Sequence, residues 1–323
     1  METNKPLISI LMAIYEPRLD WLREQLESLN AQTYSNLELI VCDDCSPKVA
    51  FEEINQLVTK CITAFSVTVF RNDKNLGSNG TFERLTKEAT GEYIAYCDQD
   101  DIWLPDKLDV LYKTIVEKDA LLVCSDMYII DECGMQVADS ITKVRRHHVF
   151  KSGEGLASEL LFSNFVTGCT MLIKSDIAQL AVPFCPDMVH DHWLALFSAE
   201  RGKIISISEN LVRYRIHSSN QTLMMAGVFD KKSYLQVRIV QYLNRMRWLK
   251  DNFPCSPKTK GNIIGGIEWL EARKRNMERH GGAKTIWKYR AYSVLTSLFE
   301  IVATYFPEKL FMSFISMKRN NLL

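Results

Sequence analysis

Two glycine-rich signatures of nucleotide-binding α/β proteins are missing from this chain. No GxGxxG follows the first apolar run and no GxxxxGK[ST] occurs anywhere in its 323 residues, which disfavours NAD enzymes and P-loop NTPases. No uninterrupted apolar run reaches the ~18 residues of a membrane helix; the candidate at 291–306 contains Glu300. Residues 1–6 are polar and lead straight into a strand-like run, so no signal peptide is expected. Cysteine is present, nine in all, but paired spacing is not: Cys42 and Cys45 have no answering second pair. That speaks against a zinc ribbon and for reduced thiols in a cytoplasmic protein. Net charge is absent as well, with 39 basic and 39 acidic residues.

The charge balance hides an asymmetry. From Lys231 onward there are 18 basic and 6 acidic residues, against 21 and 33 before it. An acidic first part and a basic, aromatic-rich last part suggest two functions on one chain. The tail repeats motifs such as Arg245-Met246-Arg247-Trp248 and Trp287-Lys288-Tyr289-Arg290. These suit helices on an anionic membrane surface, and equally a helical cover for a sheet or an oligomer surface. Nucleic acid is not expected, because no known module accompanies the charge. The expected division is 1–228 as the catalytic domain and 229–323 as a basic helical region facing a membrane or partner.

Apolar residues make up 47% of the chain, enough for a sizeable core. The run 8–14 is nearly continuous in apolar residues, as in a strand buried on both faces of a parallel sheet. Pro17 then opens a helix with Leu19, Leu22, Leu26 and Leu29 on one face, and 37–42 is the next strand. Helix 49–63, strand 66–70, a turn-rich loop through Asn75 and Gly77, helix 81–89 and strand 93–97 follow. Strands alternating with helices predict an α/β layer fold with a mostly parallel sheet. Beyond it, the pattern predicts helix 107–118, a strand from 120, helix 154–162, strand 166–174, a helix from 189, and strands 204–208 and 211–216. Residues 139–152, with Arg145-Arg146-His147-His148, read as a solvated loop. The tail predicts helices at 234–250, 263–280 and 287–305.

Acidic residues end two of these strands: Asp43-Asp44, and Asp98-Gln99-Asp100-Asp101. Open α/β sheets place their ligand crevices at that rim. Three clustered carboxylates need positive compensation, and a hard divalent cation with oxygen ligands is the simplest candidate. Taken singly, Asp43-Asp44 also reads as an Asx-type turn before Pro47, and Asp98–Asp101 as an acidic turn before a helix.

Together the motifs carry a resemblance. They are the 8–14 strand with Tyr15-Glu16, Asp43-Asp44-Cys45-Ser46, Asn75-Leu76-Gly77 and Cys97-Asp98-Gln99-Asp100-Asp101-Ile102-Trp103. Gly168-Cys169-Thr170-Met171, His190-Asp191-His192-Trp193 and Tyr214-Arg215-Ile216-His217-Ser218-Ser219-Asn220-Gln221 complete the set. This series resembles the family-2 glycosyltransferases of the GT-A fold, over roughly 5–222. The Asp-Gln-Asp-Asp-Ile-Trp form is similar to the bacterial rhamnosyltransferase-like branch that builds O-antigen and capsule. The resemblance implies a GT-A (Rossmann-like) sheet, mixed and mostly parallel, flanked by helices, with a C-terminal helical region outside the match.

It also implies inversion at the anomeric carbon, a dTDP- or UDP-linked sugar donor (L-rhamnose by resemblance) and Mg²⁺ or Mn²⁺. The acceptor is a glycan or lipid-linked saccharide, on the cytoplasmic side of the membrane. Ala13, Tyr15, Glu16, Asp43, Asp44, Asn75, Gly77, Asp98 and Arg215 then fall on the donor side. Asp98, Asp100 and His217 become metal ligands. Asp191 matches the family's base, although His190 stands where that family usually has Glu. Gly168, Cys169, His190, His192 and Trp193 fall on the acceptor side. An acid at a helix start keeps its charged form, and burial improves it as a base; Asp191 also reads as a plain helix cap. A sugar-nucleotide nucleotidyltransferase or a non-catalytic binding module are the competing expectations. Acceptor choice is expected in 127–170 and the tail.

Overall fold

A computed structural model describes residues 5–145, 148–217 and 227–319. The chain forms two compact units, 1–184 with 188–217, and 185–187 with 218–323. In the first, β1 (Ile8–Ile14), α1 (Leu19–Asn30), β2 (Leu37–Asp43), α2 (Phe51–Cys61), β3 (Ser66–Arg71), α3 (Gly77–Glu88) and β4 (Tyr93–Cys97) alternate. β1 runs parallel to β2 and β4, and β2 parallel to β3. The acids after β2 and β4 therefore leave the sheet at one rim. β1 is buried along almost its whole length, with Leu22, Leu26 and Leu29 of α1 in the same core. Gly91 lets β4 enter beside β1, since a Cβ there would lie 2.6 Å from the Leu7 carbonyl oxygen and 2.8 Å from the Ser9 nitrogen.

The remaining elements of this unit are β5 (Ile102–Trp103), α4 (Lys107–Glu117), β6 (Leu122–Ile130), β7 (Gln136–Ala138), α5 (Ile141–Val144), α6 (Ala157–Leu160), β8 (Met171–Lys174), α7 (Ser175–Leu180), α8 (His190–Arg201) and β9 (Ile204–Arg215). The sheet order is β3-β2-β1-β4-β8-β6-β9-β5, with β7 on β6. β8 lies antiparallel between β4 and β6, β9 is parallel to β6, and β5 is antiparallel to β9. The sheet is thus mixed. β5 was not expected, since a two-residue strand leaves no periodicity. It nevertheless decides the site, because it docks the chain after Asp101 onto β9 and so draws Arg215 and His217 to the acids.

Other expectations change as well: within 139–152, expected as a solvated loop, Ile141–Val144 forms α5 and Ile141 is buried in the core. The strand expected at 166–174 opens instead as a 3₁₀ turn, Gly168–Thr170, before β8. The pair expected at 204–208 and 211–216 is one strand, whose register against β6 shifts between Ser125 and Tyr128. The helix expected at 154–162 contracts to α6.

The second unit is helical: α9 (Lys231–Leu235), a π turn (Gln236–Val240), α10 (Gln241–Asn252), α11 (Pro257–Met277), α12 (Ala283–Lys288), α13 (Val294–Ala303) and α14 (Glu308–Arg319). The run expected as one helix at 287–305 is broken by a 3₁₀ turn, Arg290–Tyr292, and an extended Ser293. Glu300, which interrupts the apolar run, is fully buried. Its carboxylate accepts from Arg273 at 2.5 and 2.6 Å and from the Tyr234 hydroxyl at 2.7 Å. Among the described residues no helix is long and apolar enough to cross a membrane. All nine cysteines are free.

Candidate active site

The rim is built from backbone turns locked by side chains. After β1, Glu16 adopts a left-handed backbone (φ 47°), a strained state that persists only when neighbours hold it. Here its amide donates to Ser46 Oγ at 2.9 Å and its carboxylate accepts from the Lys48 amide at 2.7 Å. Ala13 is half-buried opposite Cys42, and Tyr15 is exposed. Asp43, fully buried, accepts from Ser46 Oγ at 2.5 Å and pairs with Arg71 Nε at 3.2 Å. Asp43 also accepts from the Ser46 amide at 3.2 Å, so its carboxylate closes the turn before Pro47. Asp44 accepts from the Leu76 and Gly77 amides at 2.7 and 2.8 Å, and from Asn72 at 2.7 Å. It satisfies the first amides of α3, where negative charge is favoured. Asn75 Oδ1 shares the Gly77 amide at 3.0 Å, and Gly77 takes φ 73°.

The acidic run is clipped to this rim by Gln99, which accepts from the Tyr15 amide at 2.8 Å and donates to the Tyr15 carbonyl at 3.2 Å. Its three carboxylates take different partners. Asp100 Oδ2 meets His217 Nε2 at 2.8 Å. Asp101 is buried; one oxygen accepts from the Arg215 amide at 2.9 Å, and the other meets no hydrogen-bond partner within normal geometry among the described residues, with the Cys169 thiol beside it. Asp98, Asp101 and Cys169 offer ligand atoms all within 4.8 Å of one another. Of the set expected for a cation, Asp98, Asp100 and His217, the last two meet each other, while Asp98 lies in a grouping with Asp101 and Cys169. The Arg215 guanidinium is buried, and binds Glu24 at 2.5 Å and the Asp100 carbonyl at 2.8 Å. It thereby splints β9 to α1 and to the acidic turn.

Lys107 is one group that reading the sequence missed. It is fully buried at the start of α4, donates to the Cys169 carbonyl at 2.6 Å and lies over the Trp103 ring. The protein therefore supplies part of the compensating charge itself. Burial lowers its pKa to about 7, against the upward pull of Cys169, Cys97, Asp101 and Asp98. Burial, then Asp100 and Asp191, pushes Asp98 up to about 7. Burial, then Asp100 and Asp98, drives Asp101 well above the usual carboxylate range. These acids thus resist ionisation without further positive charge, and the second Asp101 oxygen is the least satisfied of them among the described residues. A hard divalent cation fits carboxylates in that condition. The Cys169 thiol, driven well above its ordinary pKa chiefly by burial, suits such an ion poorly.

Across the site, α8 begins at His190 and places Asp191 in its first turn. Asp191 is 9% exposed. Its oxygens accept from Asn164 Nδ2 at 3.0 Å and from the Gly168 amide at 3.1 Å. Burial outweighs these bonds and raises its pKa to about 6. The Asp191 charge contributes to the upward push on Asp98, so the two carboxylates share one field. Asn164 carried no motif and could not have been picked out. His190 is wedged between Phe82 and Tyr96, at centroid distances of 4.1 and 5.1 Å. Burial lowers its pKa to about 3, which keeps the imidazole neutral. Gly168 makes room for it, since a Cβ there would lie 2.6 Å from His190 Nε2. His192 bonds the Leu160 carbonyl at 2.5 Å, and Trp193 donates to the Ala181 carbonyl at 2.8 Å; both rings are buried. Residues Ser218 to Gln221, which end the last motif, lie outside the described residues.

A buried carboxylate opposite an acidic cluster, at the C-terminal rim of a mixed sheet, can accept a proton near a bound anion. A sequence model of the family described as "Glycosyl transferase family 2" matches residues 9–180. The chain belongs to this family. Among family relatives, an uncharacterized glycosyltransferase of Methanocaldococcus jannaschii is 30% identical over 229 residues, covering 69% of this chain and 75% of that one. A glucosyltransferase of Escherichia coli, named for UDP-Glc and α-D-GlcNAc-diphosphoundecaprenol, is 26% identical over 218 residues, 66% and 79% of the two chains. Among solved structures, S. aureus TarS residues 1–349 with UDP-GlcNAc aligns over 97% of this chain and 92% of that one (TM-score 0.58, 15% identity). A mannosyltransferase of Pyrobaculum calidifontis, solved with GDP-Man and Mn²⁺, aligns over 98% and 85% (TM-score 0.56, 15% identity). At such identities these two speak for the fold, which is GT-A. The chain is a family-2 glycosyltransferase.

Proposed function

We propose that the chain is an inverting, metal-dependent glycosyltransferase. It moves a sugar from a dTDP- or UDP-linked donor to a glycan or lipid-linked saccharide during cell-surface polysaccharide synthesis. Residues 1–228 form the catalytic domain and 229–323 the region that faces a membrane or partner, at the cytoplasmic side. The observation that carries the reading is the buried Asp191 carboxylate, held by Gly168 and Asn164 and coupled electrostatically to Asp98. The substrates for which one relative is named, UDP-Glc and a diphosphoundecaprenol-linked sugar, support the donor and acceptor classes. L-rhamnose rests on the Asp-Gln-Asp-Asp-Ile-Trp motif and makes dTDP-L-rhamnose the first donor to try.

In this reading Asp43, Asp44 and the turns through Ala13, Tyr15, Glu16, Asn75 and Gly77 shape the nucleoside side. Asp98 and Asp100, with His217 behind Asp100, would hold Mg²⁺ or Mn²⁺. That ion supplies positive charge against the departing diphosphate. Arg215 positions the acidic turn and adds to the same field. Asp191 accepts the proton of the acceptor hydroxyl, and its raised pKa brings it closer to the working pH of a general base. Gly168, Cys169, His190, His192 and Trp193 form and support the acceptor wall, and His190, kept neutral, adds no charge there.

The test is transfer of labelled sugar from a panel of nucleotide sugars to a lipid-linked acceptor. Asp191→Asn should abolish transfer while donor affinity is kept. Undiminished transfer by that variant would refute the assignment.

A further inference from the structure

The second unit carries a surface that the active site does not use. On α13, Ser297, Glu300 and Ala303 face inward and are buried. The opposite face presents Val294, Leu295, Leu298 and Val302, and Tyr305 continues it just beyond the helix. All five are exposed, Leu295 by 74% and Tyr305 by 70%. At 3.6 residues per turn these positions form one stripe, and it contains no charge. An apolar stripe of this kind on a soluble surface marks an interaction site.

Its flanks name the partner. Trp287, Lys288 and Arg290 precede the stripe and are exposed, with Arg290 stacked 4.5 Å over the Trp287 ring. Lys284 and Lys309 are exposed on either side in sequence. Glu300, the one acid inside α13, is buried and paired with Arg273. From Lys231 on, basic residues outnumber acidic ones 18 to 6. A ten-residue helix is too short to span a bilayer,. Lying in the interface plane, it places aliphatic side chains below the headgroups and its aromatic and cationic ends among them. Self-association through the stripe would instead bring two strongly basic units together.

We infer that the exposed face of α13, flanked by Trp287, Lys288, Arg290 and Lys309, is a docking surface for an anionic lipid bilayer. It deepens the proposed lipid-linked acceptor by giving the enzyme a way to reach it. Its test needs neither donor nor acceptor, so failure here and failure of the glycosyl-transfer reading are separable.

The experiment is flotation of the full chain with phosphatidylcholine vesicles, with or without about 30 mol% phosphatidylglycerol. Binding should require the anionic lipid and weaken as salt rises. Leu295→Glu/Leu298→Glu should reduce partitioning roughly tenfold or more. Lys288→Ser/Arg290→Ser should weaken it less and flatten the salt dependence. Leu180→Glu, at an exposed apolar residue of the first unit, should bind like the parent, and circular dichroism confirms that each variant is folded. Absence of binding to anionic vesicles overturns the inference. So does binding that survives the double Leu substitution in folded protein, or a dimer in light scattering that this substitution dissolves.

Discussion

Asp191 illustrates how one residue's environment sets both activity and stability. Its pKa of about 6 lies above the ordinary 3.8, so between those values the folded state holds more protons than the unfolded. Stability then falls as pH rises through that window. Asp191→Asn removes this penalty and should raise neutral-pH stability by about 1–3 kcal/mol, measured by urea unfolding at pH 7 against pH 4. The same residue must be ionised to accept a proton. The acid limb of kcat/KM should therefore fall near pH 6, not near pH 4, in a pH–rate profile. Asp191 was legible in the sequence because it sits in a His-Asp-His-Trp motif at a helix start. Asn164 and Lys107 were not legible. A lone amide and one lysine in a helix look like any surface residues until the fold buries them beside the acids.

At the scale of elements, the 3₁₀ turn Gly168–Thr170 and the start of α8 act as one piece. The Gly168 amide holds Asp191, and its missing side chain leaves room for His190. His190 cannot retreat, because Phe82 and Tyr96 flank it. Gly168→Ala should therefore shift the Asp191 carboxylate and lower kcat by about 10²-fold, while the donor KM changes little in steady-state kinetics. In the second unit, Arg273→Met leaves Glu300 buried without its cation. The expected loss is about 3–5 kcal/mol by denaturant unfolding. Arg273→Met/Glu300→Leu should recover much of it, because the penalty comes from the uncompensated charge. Strong periodicity made β1, β2 and the helices legible. β5 was not, since two residues carry no pattern and their pairing with β9 depends on a partner more than a hundred residues away.

For the molecule as a whole, the acids left over after Lys107 predict a response to ions and donor together. Mn²⁺ with a bound nucleotide sugar should raise the melting temperature, by the equivalent of about 2.7 kcal/mol at a hundredfold excess over Kd. Asp98→Asn should remove the part that depends on Mn²⁺, read by differential scanning fluorimetry with and without EDTA. By itself the sequence determined the alternation of strands and helices, the acidic strand ends, the family and the change of charge near Lys231. These are local patterns, set by side-chain period and composition. Tertiary structure alone decided which carboxylates meet. It paired His217 with Asp100, turned Arg215 into a buried splint, put Lys107 beneath the acids and brought Asp101 beside Asp98 and Cys169. It also showed that Glu300, which broke the apolar run, is a buried ion-pair partner behind an exposed apolar stripe. Burial and electrostatics between distant segments depend on the closed fold, and no window of sequence contains them.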